Sequence, residues 1–388
     1  MAAITSDSTA TAHRPDTGGP AEPEVARRSA PATRTSAPGR TAWLDLTRVA
    51  AMCTVIAVHA FAPVVTTRYT DFGTATWWTA NAVDSALRWC VPVFIMLSGA
   101  LLLAPRPEGL RMFYRRRFSR IGTPLLVWTV VYLAWEALYR SDIGLQQAVS
   151  QVLSGNPALH LYFLFVLAGL YVLTPFLRIL TRHAGTRTLW GFAIVMSALG
   201  IVDQAVTAFD GAGEPNAVTR FLPFVGYYVM GYLLRETDLT RRQTWASGGL
   251  FAGSVAVTAL AAGLVGAATG GWGSAANYVY DYLSPTVLVM SVTAFLLFRA
   301  LGTRWSARTA AEGEAEPARR WLRTLSELSF GVFLVHVMVL YQLRDLTGLP
   351  DHPLAMTATA AGHIVVVLLV SLAATAVIRR IPLLRATV

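Results

Sequence analysis

The sequence predicts an all-α, polytopic membrane protein with about ten transmembrane helices and both termini in the cytoplasm. Three observations predict it. The 388-residue chain is 54% hydrophobic and only 14% charged, more apolar surface than a soluble domain could cover. The apolar residues come in long runs, each able to cross a bilayer as a helix, and the short alternating segments of a barrel are absent. Arginine, finally, gathers in alternate connections, as the positive-inside rule requires of a protein that weaves through a membrane.

The same arginines dispose of another reading. The net charge is +10 and all 32 basic residues are arginine. A nucleic-acid interface would gather that charge on one surface, whereas here it follows the topology. No nucleic-acid partner is expected. The lysine-free, alanine-rich bias fits a GC-rich bacterial genome, and with it the bacterial plasma membrane. Cys53 and Cys90 fall inside apolar runs, so no disulfide framework is expected.

In chain order, residues 1–40 are rich in Ala, Thr, Pro, Ser and Arg without apolar periodicity, and read as a disordered cytoplasmic tail. No apolar core precedes a cleavage site there, so no signal peptide is expected. Residues 41–380 form the membrane domain. Its spans are expected at 42–65, 80–104, 120–139, 159–180, 187–205, 219–235, 246–268, 280–301, 325–346 and 356–378, and 381–388 make a short cytoplasmic tail. The connections assigned to the outer side hold only Arg68, Arg140 and Arg344. Pro92, Pro124, Pro175, Pro223 and Pro285 interrupt spans, each removing a backbone hydrogen bond. Such breaks survive in membranes where helices pack together or line a cavity. No internal repeat is visible, which speaks against an inverted-repeat transporter.

The first span carries a polar stripe. At 100° per residue, the eleven steps from Arg48 to His59 close to within about 20° of whole turns and separate the two by about 16 Å. Asp45 lies on the same side, one turn earlier. Ionisable groups at membrane depth are costly, so the stripe must face protein, water or a ligand. In the second span Asp84 and Arg88 are one turn apart, as a structural ion pair or as part of a site. Glu136 closes the third span, as an interfacial carboxylate more readily than as part of a site. His160 opens the fourth among aromatic residues, a place where histidine is more often solvated or helix-capping than catalytic. His336 is mid-span, about 14 Å from Glu327, which favours a cavity-lining role. His363 reads as packing. The segment RMFYRRRFSRIGTP crowds Arg111, Arg115, Arg116, Arg117 and Arg120. It reads as topology and attraction to anionic lipid, or as phosphate capture by Arg117 and Arg120, three apart on a helix. No metal site, GxSxG, Walker A or dinucleotide fingerprint is present.

These residues carry a resemblance. Arg48–x10–His59 in DLTRVAAMCTVIAVHAF resembles the first-span Arg/Lys–x10–His signature of the membrane acyltransferase-3 family. VPVFIMLSGALLL is similar to that family's second-span FF-x-(I/L)SG segment, with Val93 and Phe94 where two aromatics are usual. Arg117-Phe-Ser-Arg120 matches its Arg-x-x-Arg motif. His160 to Pro175 resembles an HLWFL…GLYL…P segment of its O-acetyltransferase branch, and Ser329 to His336 resembles a late span ending in histidine. The five stand in family order over residues 41–380.

The resemblance implies an integral membrane O-acyltransferase. It would move an acyl group, by family habit acetyl, from cytoplasmic acyl-CoA to a hydroxyl of a carbohydrate or glycosylated small molecule. No bound cofactor is expected, and acyl-CoA is the donor substrate. The esterase-like domain of the SGNH type that many members carry is not expected here. Arg117 and Arg120 would hold the phosphates, the pantetheine arm would pass Arg48, and the thioester would reach His59. Histidine titrates near neutrality, so His59 suits a general base or an acyl carrier. Asp45, Asp84, Arg88, Glu136, His160 and His336 are the supporting or acceptor-side candidates. Ten spans with buried His, Asp and Arg also suit a proton-coupled exporter. The ordered motifs favour transfer.

Overall fold

The computed structural model describes residues 42–68, 71–139, 143–211, 213, 215–311 and 315–388, without the side chains of 310 and 315–318. The expected tail at 1–40 and Arg140 lie outside the described residues. What is described is helical: α1 Ala42–Thr66, α2 Ala75–Leu87, α3 Cys90–Leu102, α4 Leu110–Tyr139, α5 Leu145–Leu153, α6 Tyr162–His183, α7 Thr186–Asp210, α8 Val225–Leu234, α9 Arg241–Ala268, α10 Ser274–Tyr280, α11 Pro285–Ala311, α12 Ala315–Thr347 and α13 Pro353–Arg380.

Among the described residues nine stretches are long and apolar enough to cross a membrane, with α2 and α3 joined in one and α10 and α11 in another. The tenth expected span, 219–235, is shorter than a crossing. A 3-10 turn at Leu222–Phe224 leads into α8, whose 10 residues rise only about 15 Å. Pro223 supplies the reason, since it cannot donate to a preceding turn and so starts a helix rather than continuing one. A half-length helix is tolerable because α8 is enclosed by protein, with Val225 to Gly231 buried throughout.

The prolines divide into two kinds. Pro92 and Pro285 stand at the breaks between α2 and α3 and between α10 and α11, whereas Pro124 and Pro175 lie inside uninterrupted helices. Local chemistry closes the ends. Thr240 and Gln243 form a reciprocal capping box at the start of α9, and Gly211, at φ +69°, ends α7 in the left-handed region that glycine adopts without steric cost.

Two features position the site. First, α1 is surrounded, packing against α2, α3, α11, α12 and α13. The polar stripe therefore faces protein, and the helix that meets it is α12. Second, α3 and α8 approach at backbone distance. A Cβ on Gly99 would overlap the Tyr228 carbonyl, and one on Gly231 would overlap the Met96 carbonyl. This close crossing anchors the largest apolar core, which extends from Trp43 through Met96 and Tyr228 to Phe333.

Candidate active site

The stripe on α1 opens onto two environments. Near the start of the helix Arg48 donates to Ser326 of α12 at 2.7 Å and pairs with Asp45 at 3.3 Å, while the Ser326 hydroxyl donates to Asp45 at 2.7 Å. The three groups close a small network between α1 and α12. Arg117 and Arg120 of α4 join from the side. Together with Arg48 they act electrostatically on the Tyr171 hydroxyl of α6, which bonds Ser98 of α3.

The other arginines of that segment turn elsewhere, Arg116 to Glu108 at 3.3 Å and Arg115 to the Met112 sulfur. Arg117 rests over the Phe113 ring at 5.7 Å with its Nε buried and unpartnered. Neither Arg117 nor Arg120 has a carboxylate partner among the described residues. An arginine group without acids is an anion site in the making.

The second environment is a histidine cluster. The ring of His336 on α12 lies 5.3 Å from that of His59 and 5.2 Å from that of His160. His336 is fully buried and His160 is 2% exposed. The expectation of a solvated or capping His160 at the membrane interface therefore gives way to a buried histidine. Its ring stands edge-on to Phe333 and Tyr132, at 5.2 and 4.9 Å, and the Tyr132 hydroxyl donates to the Leu334 carbonyl at 2.8 Å. The aromatic residues after His160, Tyr162 and Phe163, read as an interface belt in the sequence; here they line the same cavity as His160.

The tautomer of His336 follows from one contact. Its Nδ1 is 2.7 Å from the Phe333 carbonyl, which can only accept, so the proton sits on Nδ1. Nε2 is then an unprotonated acceptor, buried and without a partner. The His59 and His160 rings stand beside the His336 ring at nearly equal centroid distances, 5.3 and 5.2 Å. A second constraint holds His59. Pro63, four residues on, has no N–H to give the His59 carbonyl, and Arg344 of α12 fills the gap with a 2.6 Å hydrogen bond. In the sequence Arg344 marks topology at the end of a span. The His-x-x-x-Pro spacing was the available sign of a freed carbonyl.

His59, His160, Arg88, Tyr282 and Arg344 line one cavity of 580 Å³. Asp84 and Arg88 are indeed ion-paired, with Asp84 fully buried and the Arg88 guanidinium 4.4 Å from the Tyr280 ring centroid. The pair is thus structural on its Asp84 side and reaches the cavity on its Arg88 side. Glu136 is placed apart, lining a neighbouring 360 Å³ cavity with Tyr132, Asn156 and Tyr341. His363 accepts or donates at 2.7 Å to Thr347 and takes no part. Cys53 and Cys90 are free thiols. Among the described residues no three His, Cys, Asp or Glu side chains are arranged to hold a metal.

A bundle of membrane-length helices with half-buried ionisable groups on its central helix, and the buried His160 and His336 beside them, defines a multi-pass membrane protein with an internal polar site. The family follows from comparison: the family model described as an acyltransferase domain matches residues 41–380, and the chain belongs to the acyltransferase-3 family. No curated protein and no solved structure matches the chain.

Proposed function

We propose that this membrane acyltransferase moves an acyl group, in the simplest case acetyl, from cytoplasmic acyl-CoA to a hydroxyl of a carbohydrate or glycosylated acceptor, in a bacterial plasma membrane with both termini cytoplasmic. One observation carries the reading. A single helix presents Arg48 to an arginine group without acid partners and, about 16 Å further along, His59 to a cavity. Coenzyme A has the matching anatomy, a polyanionic end joined by a long, thin, neutral arm to the thioester.

In this reading Arg117 and Arg120 grip phosphate oxygens and Arg48, steadied by Asp45 and Ser326, meets the arm between the phosphates and the thioester. His59 takes the proton from the acceptor hydroxyl as its oxygen bonds to the acyl carbonyl carbon. The carbon–sulfur bond breaks, and the departing coenzyme A thiolate recovers the proton from the imidazolium. A small turn of the His59 ring brings a hydrogen bond to the otherwise unpartnered His336 Nε2 and orients the other ring nitrogen to the hydroxyl. Arg88 at the cavity wall, with its Nε unpartnered, stabilises the oxyanion that develops.

The test is transfer of radiolabelled acetyl from acetyl-CoA in membranes, wild type beside His59→Ala, with label read in glycan and lipid extracts. The variant is expected to fold and to lose activity by about a thousandfold, within the range of a general base. Full activity in that variant would end the assignment of His59.

A further inference from the structure

A second cavity of 1120 Å³ adjoins the first, and Leu159, Tyr162, Asn277 and Tyr282 line both. These four residues form the passage between them. The larger chamber is two-sided. Leu199, Val202 and Val206 of α7 give it an apolar wall, while Arg220, Asn277 and Asp281 bring polar groups toward the passage. The apolar wall is also an outer surface, with Leu199 57%, Val202 58% and Val206 44% exposed. The chamber therefore opens beside a helix face that meets lipid.

Asp203 lies on that same helix and lines the chamber. It sits about 10 Å before the end of α7 and makes no ion pair among the described residues. A carboxylate at that depth marks water or a ligand path rather than a lipid contact. At the passage, the Arg220 guanidinium donates twice to the Ser154 carbonyl, at 3.1 and 2.7 Å, and stands 5.9 Å from the Tyr162 ring. The Tyr162 hydroxyl is buried without a hydrogen-bond partner. Leaving such a group unmatched is costly, and this one sits where the two cavities meet. The volume also exceeds the roughly 300–1,000 Å³ that holds a drug-sized ligand, far more than an acetyl group needs.

We propose that the larger chamber is the acceptor site, and that it takes an amphipathic acceptor, a hydroxylated, sugar-like head on an apolar body, arriving from the bilayer beside α7. The body lies along Leu199, Val202 and Val206. The head is held by Asp203, Asn277 and Asp281 and passes Tyr162 to place one hydroxyl at His59. A free water-soluble sugar uses only half of such a chamber. The assignment rests on the acyl-transfer reading for the identity of the acceptor, but the chamber's occupancy is measurable without turnover.

The protein in lipid nanodiscs is photolabelled with an alkyl glucoside carrying a diazirine in its alkyl chain, and labelled peptides are mapped by mass spectrometry. Label is expected in residues 196–207 and 219–224, displaced by unlabelled octyl glucoside and not by glucose. Filling the chamber with Val206→Trp, or independently with Leu199→Trp, should lower that labelling about fivefold or more. Both positions are exposed, so the larger ring has room to be accommodated. Labelling spread evenly over the lipid-facing helices, undisplaced by octyl glucoside or unchanged in both variants, overturns the proposal. Displacement by glucose as effective as by octyl glucoside does the same. A thermal shift with acetyl-CoA on the same nanodiscs keeps the two readings apart: its absence in the wild type counts against acyl transfer and leaves the labelling result intact, and its retention in both tryptophan variants shows that the donor site is undisturbed.

Discussion

The arginine end and the histidine end of α1 handle charge in opposite ways. At the arginine end three guanidinium groups act on one tyrosine hydroxyl, and only Arg48 has a carboxylate, Asp45, to itself. Charge is left standing there. At the histidine end the cations are accounted for, Arg88 by Asp84 and Arg344 by the His59 carbonyl, and the remaining groups are imidazoles among aromatic rings. Standing positive charge attracts a polyanion, whereas imidazoles in a walled cavity are suited to moving protons. The lesson is a division of labour along one helix, with binding at one end and chemistry at the other.

The division is open to attack by kinetics, because binding and chemistry separate into KM and kcat. The largest effect after His59→Ala is expected from Arg117→Ala with Arg120→Ala. Hydrogen bonds to charged groups contribute about 1.5–3 kcal/mol each, so acyl-CoA KM should rise by at least about a hundredfold with kcat little changed. An unchanged KM would return this pair to the topological role of its neighbours Arg115 and Arg116. Next comes His336→Leu, which removes a buried acceptor nitrogen beside His59 and should lower kcat by about thirtyfold, less than the roughly 10²–10⁴-fold of a general base itself because His336 acts through His59, with donor KM preserved. His336→Gln, whose carbonyl oxygen can still accept, should recover part of the loss. Equal damage from the two substitutions would show that only packing was lost.

A smaller effect isolates the backbone device. Arg344→Ala leaves the His59 carbonyl without a donor and should reduce kcat by about tenfold, the equivalent of one charged hydrogen bond. In that background Pro63→Ala supplies an N–H at the position where the helix lacks one, and activity should partly return. No return would mean that Arg344 acts through its charge in the cavity rather than through the carbonyl.

Most of the fold was legible because hydropathy over membrane-length windows is a strong signal, and the pairing of Arg48 with His59 on one face was legible from helical geometry alone. The half-length of α8 was not. A run such as LPFVGYYVMGYLL reads alike whether lipid or protein surrounds it, and only packing against α3 and α7 shows which. The burial of His160 was hidden for a similar reason, since tyrosine and phenylalanine beside a histidine describe a membrane interface and a buried cluster equally well. Arg344 was masked by a competing signal, because arginine at the end of a span also reports topology. Pro63 is different, since its place four residues after His59 in the sequence already marks a freed carbonyl.

The smallest predicted effect probes whether the arginine end is itself graded. Ser326 bridges Arg48 and Asp45, accepting from one and donating to the other at 2.7 Å each. Ser326→Ala removes the bridge but leaves the 3.3 Å contact between the two charges. Exposed or half-exposed pairs of this kind contribute only about 0–1 kcal/mol, so donor KM should rise no more than about fivefold and kcat should hold. A rise as large as that of the Arg117 and Arg120 double variant would move the centre of donor binding from α4 to α1. The phosphates would then sit on Arg48 itself, and the distance from there to His59, rather than from the α4 arginines, would have to accommodate the arm of the donor.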